Sequence, residues 1–404
     1  MVIGIIGAGA SGMMAALAAS LYPETQVILF ERQARVGRKL QATGNGRCNL
    51  TNIHADNSGY HGEDAAFSQF ALEQFDVKTT MEFFRRLGLL TVTEPSGKVY
   101  PYSDHANSVV DILRLALKKE NITLYTGFEV EKVQKSGSGF AVFGADQQIA
   151  CDKLIVACGG LAGTKLGGSM SGYKILSKFG HKVTKLRPSL VQLKCSWGGV
   201  VGLKGVRTRC NVKILRDNAL FAESTGELQF TDYGLSGPVI FEVSRDVCYG
   251  SGAWIAQLDL LPDFTRDELL QQLYNRQKAN ISGEELLTGI LHNQLGRTLV
   301  KAAGISLNAD TSALTQAQLQ GVVNAVKAFE IVLTEPMGMD NAQVTAGGAL
   351  TKDFCPETME SKLVPGLYAC GEVLDIDGDC GGYNLQWAWS SGYLAGSSAG
   401  KECV

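Results

Sequence analysis

Three glycines at positions 7, 9 and 12 and a glutamate at 31 have the types and spacing needed to hold a dinucleotide. In Gly7-Ala8-Gly9-Ala10-Ser11-Gly12, Gly7 makes a tight turn and Gly9 lets backbone approach a pyrophosphate. Gly12 lets a helix lie close on a strand. The helix start offers N–H groups and the positive end of its dipole to phosphates. Glu31 stands about 20 residues past the last glycine, where a carboxylate can take the hydroxyls of an adenosine ribose. The alternative is a tight βα turn without a ligand. The flanking elements favour the site: residues 2–6 are apolar and strand-like, 13–21 alanine-rich and helical, and 27–30 apolar again.

Two later stretches supply matching chemistry. The first is Gly37-Arg38-Lys39 with the polar run Thr43-Gly44-Asn45-Gly46-Arg47-Cys48-Asn49, which cannot form a core strand. It reads either as a surface turn or as a cofactor-lining loop, with Arg38, Lys39 and Arg47 available to phosphates. The second lies at the far end. Residues 367–370 read as a strand ending at Gly371-Glu372, whose carboxylate can bond a polyol. Gly381-Gly382 then opens a helix reaching about residue 396. Its face of Ala388, Gly392, Ala395, Gly396 and Ala399 is small enough to lie against the region around Gly7 to Ala16. The dipole at its start suits the negative charge that a reduced flavin gathers at N1 and the C2 carbonyl. Tyr383, Trp387 and Trp389 fit ordinary packing, with Tyr383 alone placed for a ring contact. Cys370 and Cys380 are weighed as a redox pair and set aside, because flavin disulfide reductases carry their dithiol behind the first βα unit.

Composition narrows the classes. A net charge of −3 argues against a strongly basic nucleic-acid binder. The first strand begins at residue 2 without a basic leader, and no run of about 18 apolar residues occurs. A cytoplasmic protein without a membrane span is expected. Ten scattered cysteines without C-x-x-C spacing read as reduced thiols, and five separated histidines imply no metal centre.

Helices are expected over 77–88 and 106–119, the latter capped by Ser103 or Asp104, and strands over 122–125, 128–133 and 140–143. Residues 153–157 form a buried parallel-type strand that ends in Cys158-Gly159-Gly160, where a cofactor can cross the sheet edge. From about residue 190 short alternating segments dominate, with 207–214 a half-buried antiparallel strand. Helical patterning covers 266–276, 283–295 and 316–327. The expected fold is α/β: a Rossmann-type domain (1–189 and 343–404), a β-rich insert (190–262 and 331–342) and, within it, a helical insert (263–330).

Four stretches resemble the BaiN-like bacterial flavoproteins, a family of NAD(P)/FAD-dependent oxidoreductases that includes aminoacetone oxidase. They are 37–52 (GRKLQATGNGRCNLTN), 234–238 (GLSGP), 343–348 (QVTAGG) and 371–388 (GEVLDIDGDCGGYNLQWA). The resemblance implies FAD, a glutathione-reductase-like FAD domain, a barrel-like insert and a small helical insert. It also implies that the 43–49 loop and the 381–386 turn line the flavin. One departure is Thr231-Asp232-Tyr233, where many relatives carry His after Thr; a substrate role of that His would fall to Asp232. The residues expected to hold the cofactor are Gly7, Gly9, Ala10, Ser11, Gly12, Glu31, Arg32, Arg38, Lys39, Thr43, Gly44, Asn45, Gly46, Arg47, Cys48, Asn49, Val130, Cys158, Gly159, Gly160, Gly371, Glu372, Asp379, Gly381, Gly382, Tyr383, Asn384 and Gln386.

The expected chemistry is hydride transfer at flavin N5, with a small-molecule substrate between the FAD domain and the insert. No second G-x-G-x-x-G is flanked by strand and helix, so NAD(P)H is expected as a transient donor, or oxygen as the reoxidant. His105, Tyr102, Asp232 and Tyr383 are the acid–base candidates. Two other classes stay open. A flavoprotein acting on nucleic acid, of the tRNA-modifying kind, would use the basic strand face of Lys204, Arg207, Arg209, Lys213 and Arg216. A redox-responsive FAD-binding protein would turn nothing over. The oligomeric state is not legible.

Overall fold

The computed structural model describes residues 1–217, 219–250 and 252–401, so Cys403 lies outside the described residues. The chain divides into two compact units, Met1–Arg187 with Ala342–Val404, and Pro188–Asn341.

In the first unit β1 (Val2–Ile6) leads through the glycine turn into the helix α1 (Ala10–Ala19) and then β2 (Gln26–Glu31). These strands lie at the centre of a five-stranded parallel sheet. β1 pairs on one side with β2, which pairs with Ile122–Thr126, and on the other with Lys153–Val156, which pairs with Leu367–Ala369. Helices cover such a sheet on both faces, which explains the uninterrupted Val, Ile and Leu of its strands. The C-terminal helix, Tyr383–Gly400, packs on α1. A Cβ on Gly392 would strike the Ser11 backbone, and one on Gly396 would sit 2.8 Å from the Ala15 Cα. The small-residue face therefore does what its spacing predicts: it lets two helix backbones touch.

The second unit is a closed six-stranded barrel, ordered Leu193–Cys195, Gly234–Ser236, Ala219–Phe230, Arg207–Arg216, Trp254–Asp259 and Phe329–Pro336. Closure leaves no open sheet edge. Between the last two strands come the helices Arg266–Gln277, Asn293–Ala302 and Gln316–Lys327. Thr265 with Glu268, and Thr315 with Gln318, make capping boxes that satisfy otherwise orphaned amides at two of these helix starts.

Three local expectations need correction. Residues 283–295 are not one helix. Ser282 and Glu285 close a single 3-10 turn, Gly289 turns left-handed, and the helix begins only after His292. The strand expected over 128–133 begins at Lys132, because the Phe128 amide bonds the Glu31 carbonyl as the chain leaves the parallel sheet. The cap of the helix Ala106–Ala116 is His105, since Asp104 is left-handed (φ 55°).

Candidate functional site

The glycine turn is shaped by what stands around it. A Cβ on Gly7, whose φ is 105°, would lie 2.5 Å from the Ala157 carbonyl oxygen, and one on Gly12 would overlap the Gly7 carbonyl. Gly9 is different. Nothing lies within 4 Å of where its Cβ would be, and no side chain caps α1. An open cradle therefore faces the amides of Ala10 and Ser11, as a pyrophosphate requires. Gly159 (φ 68°) is equally open. The Glu31 carboxylate accepts the Ala8 and Gln33 amides at 2.9 and 2.8 Å, one on each oxygen. Each oxygen keeps a lone pair for a ribose hydroxyl. Val130 is half-buried in the segment that leaves Glu31.

The far end of the chain closes on this turn. A Cβ on Gly371 would meet the Ser11 Oγ at 2.5 Å. The Gly371 amide donates to Ser391, and its carbonyl accepts from the Trp387 indole. Glu372 Oε2 accepts from Lys39 Nζ at 2.7 Å, and its Oε1 accepts the Thr345 amide at 2.8 Å. Gly160 abuts the same carboxylate, since a Cβ there would come within 2.5 Å of Oε1. Lys39 is thus tied to a carboxylate instead of standing ready for a phosphate. Arg32 donates to the Gly167 carbonyl and Arg38 to Gln33.

The 43–49 loop is a tight knot. Gly44, Asn45, Gly46 and Cys48 all have positive φ. Thr43 bonds the Leu40 carbonyl, and the Cys48 amide reaches back to the Thr43 carbonyl. Arg47 holds the loop from outside. Its guanidinium stacks 3.9 Å over Tyr100 and donates to Glu94 at 3.0 Å and to Asp104. The hydrogen bond with Asp104 raises its pKa further. Cys48 is fully buried, and burial pushes its thiol up to about 12. Asn49 Oδ1 is buried without a hydrogen-bond partner. Its Nδ2 lies 3.7 Å from the Cβ position of Gly381. The orphaned Asn49 oxygen is an acceptor that a donor on a bound group would satisfy, and Gly381 and Gly382 are both left-handed (φ 108°).

The rest of the 381–386 turn is structural. Asn384 clasps both backbone groups of Gly378, and Gln386 is fully enclosed, bonded to Thr51, Thr80, Ser390 and the Phe75 carbonyl. The Tyr383 hydroxyl donates to the His54 carbonyl. Trp387 and Trp389 are buried, with the Trp389 indole on the Leu50 carbonyl.

Tyr102 is 74% exposed, and His105 uses Nδ1 to cap a helix through the Asn107 amide. Asp232 belongs to the second unit and pairs with Lys204 at 2.6 Å, a hydrogen bond that holds its carboxyl below the usual range. Sequence reasoning missed Thr345, Asn52 (whose Nδ2 donates to the Gly381 carbonyl) and a pair of His61 with Asp379. Asn52 stands inside the 37–52 motif, so its signal was present. Thr345 stands inside the 343–348 motif and Asp379 inside the 371–388 motif, so only His61 carried no signal. Cys158 and Cys370 lie beside Ile6 and within the core, and burial drives the Cys370 thiol up to about 12. The described cysteines form no disulfide with one another. No group of three His, Cys, Asp or Glu gathers as a metal site among the described residues, and no described helix is long and apolar enough to cross a membrane.

This geometry defines a Rossmann-type dinucleotide site built from both ends of one chain. The model of the HI0933-like protein Rossmann domain matches residues 1–398, and the chain belongs to that family. It is 41% identical to a 3-dehydro-bile acid delta(4,6)-reductase of Clostridium scindens, over 99% of both chains. It is 31% identical to a ribosomal RNA dihydrouridine synthase of Escherichia coli, over 96% of this chain and 95% of that one. Among solved structures, 3-ketosteroid delta1-dehydrogenase from Sterolibacterium denitrificans shares the fold, with a TM-score of 0.51 at 13% identity, covering 98% of this chain and 99% of that one. The resemblance to the BaiN-like flavoproteins holds, and the chain is an oxidoreductase of Rossmann-type fold.

Proposed function

We propose that the protein is an FAD-dependent reductase of carbon–carbon double bonds conjugated to a carbonyl in a small, largely apolar ring substrate. The observation that carries this reading is the open cradle at Gly9 joined to the Gly371-Glu372 strand end, with the orphaned Asn49 oxygen in the 43–49 loop. Gly7, Gly9, Gly12 and Glu31 would hold the adenosine diphosphate half. Glu372 would hold the polyol, and the 43–49 loop with Gly381-Gly382 the ring. FAD bound there supplies two-electron hydride transfer at N5. The chain's part is to orient and enclose: Lys39 and Thr345 fix the Glu372 carboxylate, and Arg47 fixes the loop that carries Asn49.

The reductase relative supports the substrate class. A delta(4,6)-reductase and a dihydrouridine synthase both saturate a ring alkene conjugated to a carbonyl, so one chemistry covers both names. A second reading, reduction of uracil within RNA, is favoured by the 31% identity to the synthase. The basic strand face weighs against it. Each of its cations has a carboxylate: Lys204 with Asp232, Arg207 with Glu227, Arg209 with Asp263, Lys213 with Glu223 and Arg216 with Asp217. These carboxylates lower the net positive charge that the face presents to phosphate.

The test begins with FAD uptake by the purified protein, followed by anaerobic bleaching with NADH and NADPH. The reduced protein is then offered a 3-oxo-4,6-diene steroid and a uridine-containing ribosomal RNA fragment. Reoxidation by the steroid, with RNA affinity weak or insensitive to salt, supports the first reading. Reoxidation by the RNA alone, with strongly salt-dependent binding, replaces it with the second. No FAD uptake removes both.

A further inference from the structure

Reducing a conjugated alkene takes a hydride at the β carbon and a proton at the α carbon, so the site needs a proton donor that the sequence candidates do not supply. We propose that His61, held by Asp379, is that donor. This rests on the reading of the protein as a reductase of conjugated alkenes.

Of the five histidines, two are spent on helix caps: His105 through Asn107 and His292 through Gln294. His181 is 3% exposed, stacked on Phe354 and bonded to Ser361, out of reach of any substrate. His54 offers its backbone: its carbonyl takes the Tyr383 hydroxyl and its amide donates to Asn52. His61 alone sets its ring nitrogen on a carboxylate at hydrogen-bond distance, Nε2 to Asp379 Oδ1 at 2.7 Å. Its side chain is 33% exposed, so a ligand can reach it.

Its position is built, not incidental. The two-residue strand Tyr60–His61 pairs antiparallel with Asp377–Gly378. The Asp379 amide donates to the Gly59 carbonyl, and the Tyr60 hydroxyl donates to the Tyr383 carbonyl. Asn384 clamps Gly378 from the start of the C-terminal helix. Asp379 therefore stands two residues ahead of Gly381, whose Cβ position lies 3.7 Å from Asn49 Nδ2, and the imidazole stands on Asp379.

The chemistry follows from the pairing. An ionised carboxylate only accepts, so the shared proton sits on His61 Nε2, and the second nitrogen, Nδ1, is the one left to give and regain a proton. The carboxylate orients the ring and fixes which nitrogen carries the shared proton, as in other histidine–carboxylate pairs. In the balanced step the β carbon takes a hydride from the reduced cofactor, and the α carbon takes the Nδ1 proton. The π bond is replaced by two C–H bonds. His61 recovers its proton from solvent, and a reduced nicotinamide restores the two electrons to the cofactor.

The first measurement needs no turnover. In 15N-histidine-labelled protein, FAD binding is expected to shift the His61 imidazole resonances and leave those of His181 in place. A His61 signal unmoved while the protein turns yellow overturns the proposal and leaves the reductase reading standing. The second is single-turnover reoxidation of the reduced protein by a 3-oxo-4,6-diene steroid. His61→Gln is expected to slow it by about 100-fold or more, the range of a positioned general acid. Asp379→Asn should lose less, in the same direction. The far-ultraviolet circular dichroism and the melting temperature without FAD should stay near wild type in both, which a folding defect would not allow. A His61→Gln protein that reacts at the wild-type rate with an unchanged solvent deuterium isotope effect overturns the assignment.

Discussion

Lys39 and Glu372 are 333 residues apart in the chain and meet at 2.7 Å. The pair joins the loop that follows Glu31 to the strand end that carries Gly371. Because Glu372 also accepts the Thr345 amide, both oxygens are fixed before any ligand arrives. Both side chains are partly buried, so the pair is worth more than a surface ion pair and less than a fully buried one. Lys39→Met is expected to cost about 1–2 kcal/mol of stability and to weaken FAD binding about tenfold. Thermal melts with and without FAD, alongside a fluorescence titration, measure both. An unchanged FAD affinity would mean that Glu372 is positioned by Thr345 alone.

The glycine turn offers a paired substitution with opposite expectations. Gly9 has an ordinary extended backbone (φ −81°) and open space at its Cβ. Gly9→Ala should fold with wild-type stability yet lose FAD affinity by about tenfold or more, equivalent to about 1.4 kcal/mol. Gly12→Ala would drive a methyl into the Gly7 carbonyl, so it should lower the melting temperature of the protein even without FAD. If Gly9→Ala binds FAD normally, the pyrophosphate does not pass over that cradle.

The 43–49 loop carries two non-glycine residues, Asn45 and Cys48, in the left-handed region. Each costs on the order of 1 kcal/mol, and the conformation persists because Arg47 is anchored on Tyr100, Glu94 and Asp104. Arg47→Lys keeps the charge but loses the fork and the stacking. Faster FAD release and earlier proteolytic cleavage within the loop are the expected outcomes, read by stopped-flow and limited proteolysis. Wild-type release from Arg47→Lys would show that the loop holds itself.

Buried thiols set an alkaline limit. Cys48 and Cys370 are fully buried, and burial raises both to about 12, above the ordinary thiol value. Burial favours the neutral form, so this contribution is fully present below the unfolded value, near 9. It is lost as pH rises from there toward about 12. Urea unfolding of the reduced protein should show stability falling across that window, by up to about 1.4 kcal/mol per pH unit for each thiol. Iodoacetamide should leave both unmodified in the native state at pH 8. Rapid labelling of either would contradict their burial.

What was legible in the sequence was local and periodic. The βαβ unit, the three glycines, Glu31 and the small face of the last helix each announce themselves within a window of about 20 residues, because turn sterics and helix spacing act at that range. The pairings that tune the site do not. Lys39 with Glu372 and His61 with Asp379 join residues separated by 333 and 318 positions, with no period to betray them. Arg47 illustrates the same limit: its charge suggested a phosphate, but Asp104 and Glu94 had already claimed it. Gln386 sits in a ligand-lining motif and spends every bond on the fold.

The most direct test of the account is anaerobic mixing of the photoreduced, FAD-loaded protein with a 3-oxo-4,6-diene steroid, following visible flavin absorbance and the ultraviolet band of the diene together. The expected result is return of the flavin bands in step with loss of the diene, one equivalent for one. A flavin that stays bleached in the presence of excess steroid, yet reoxidises normally with oxygen, would contradict the assignment of conjugated ring alkenes as substrates.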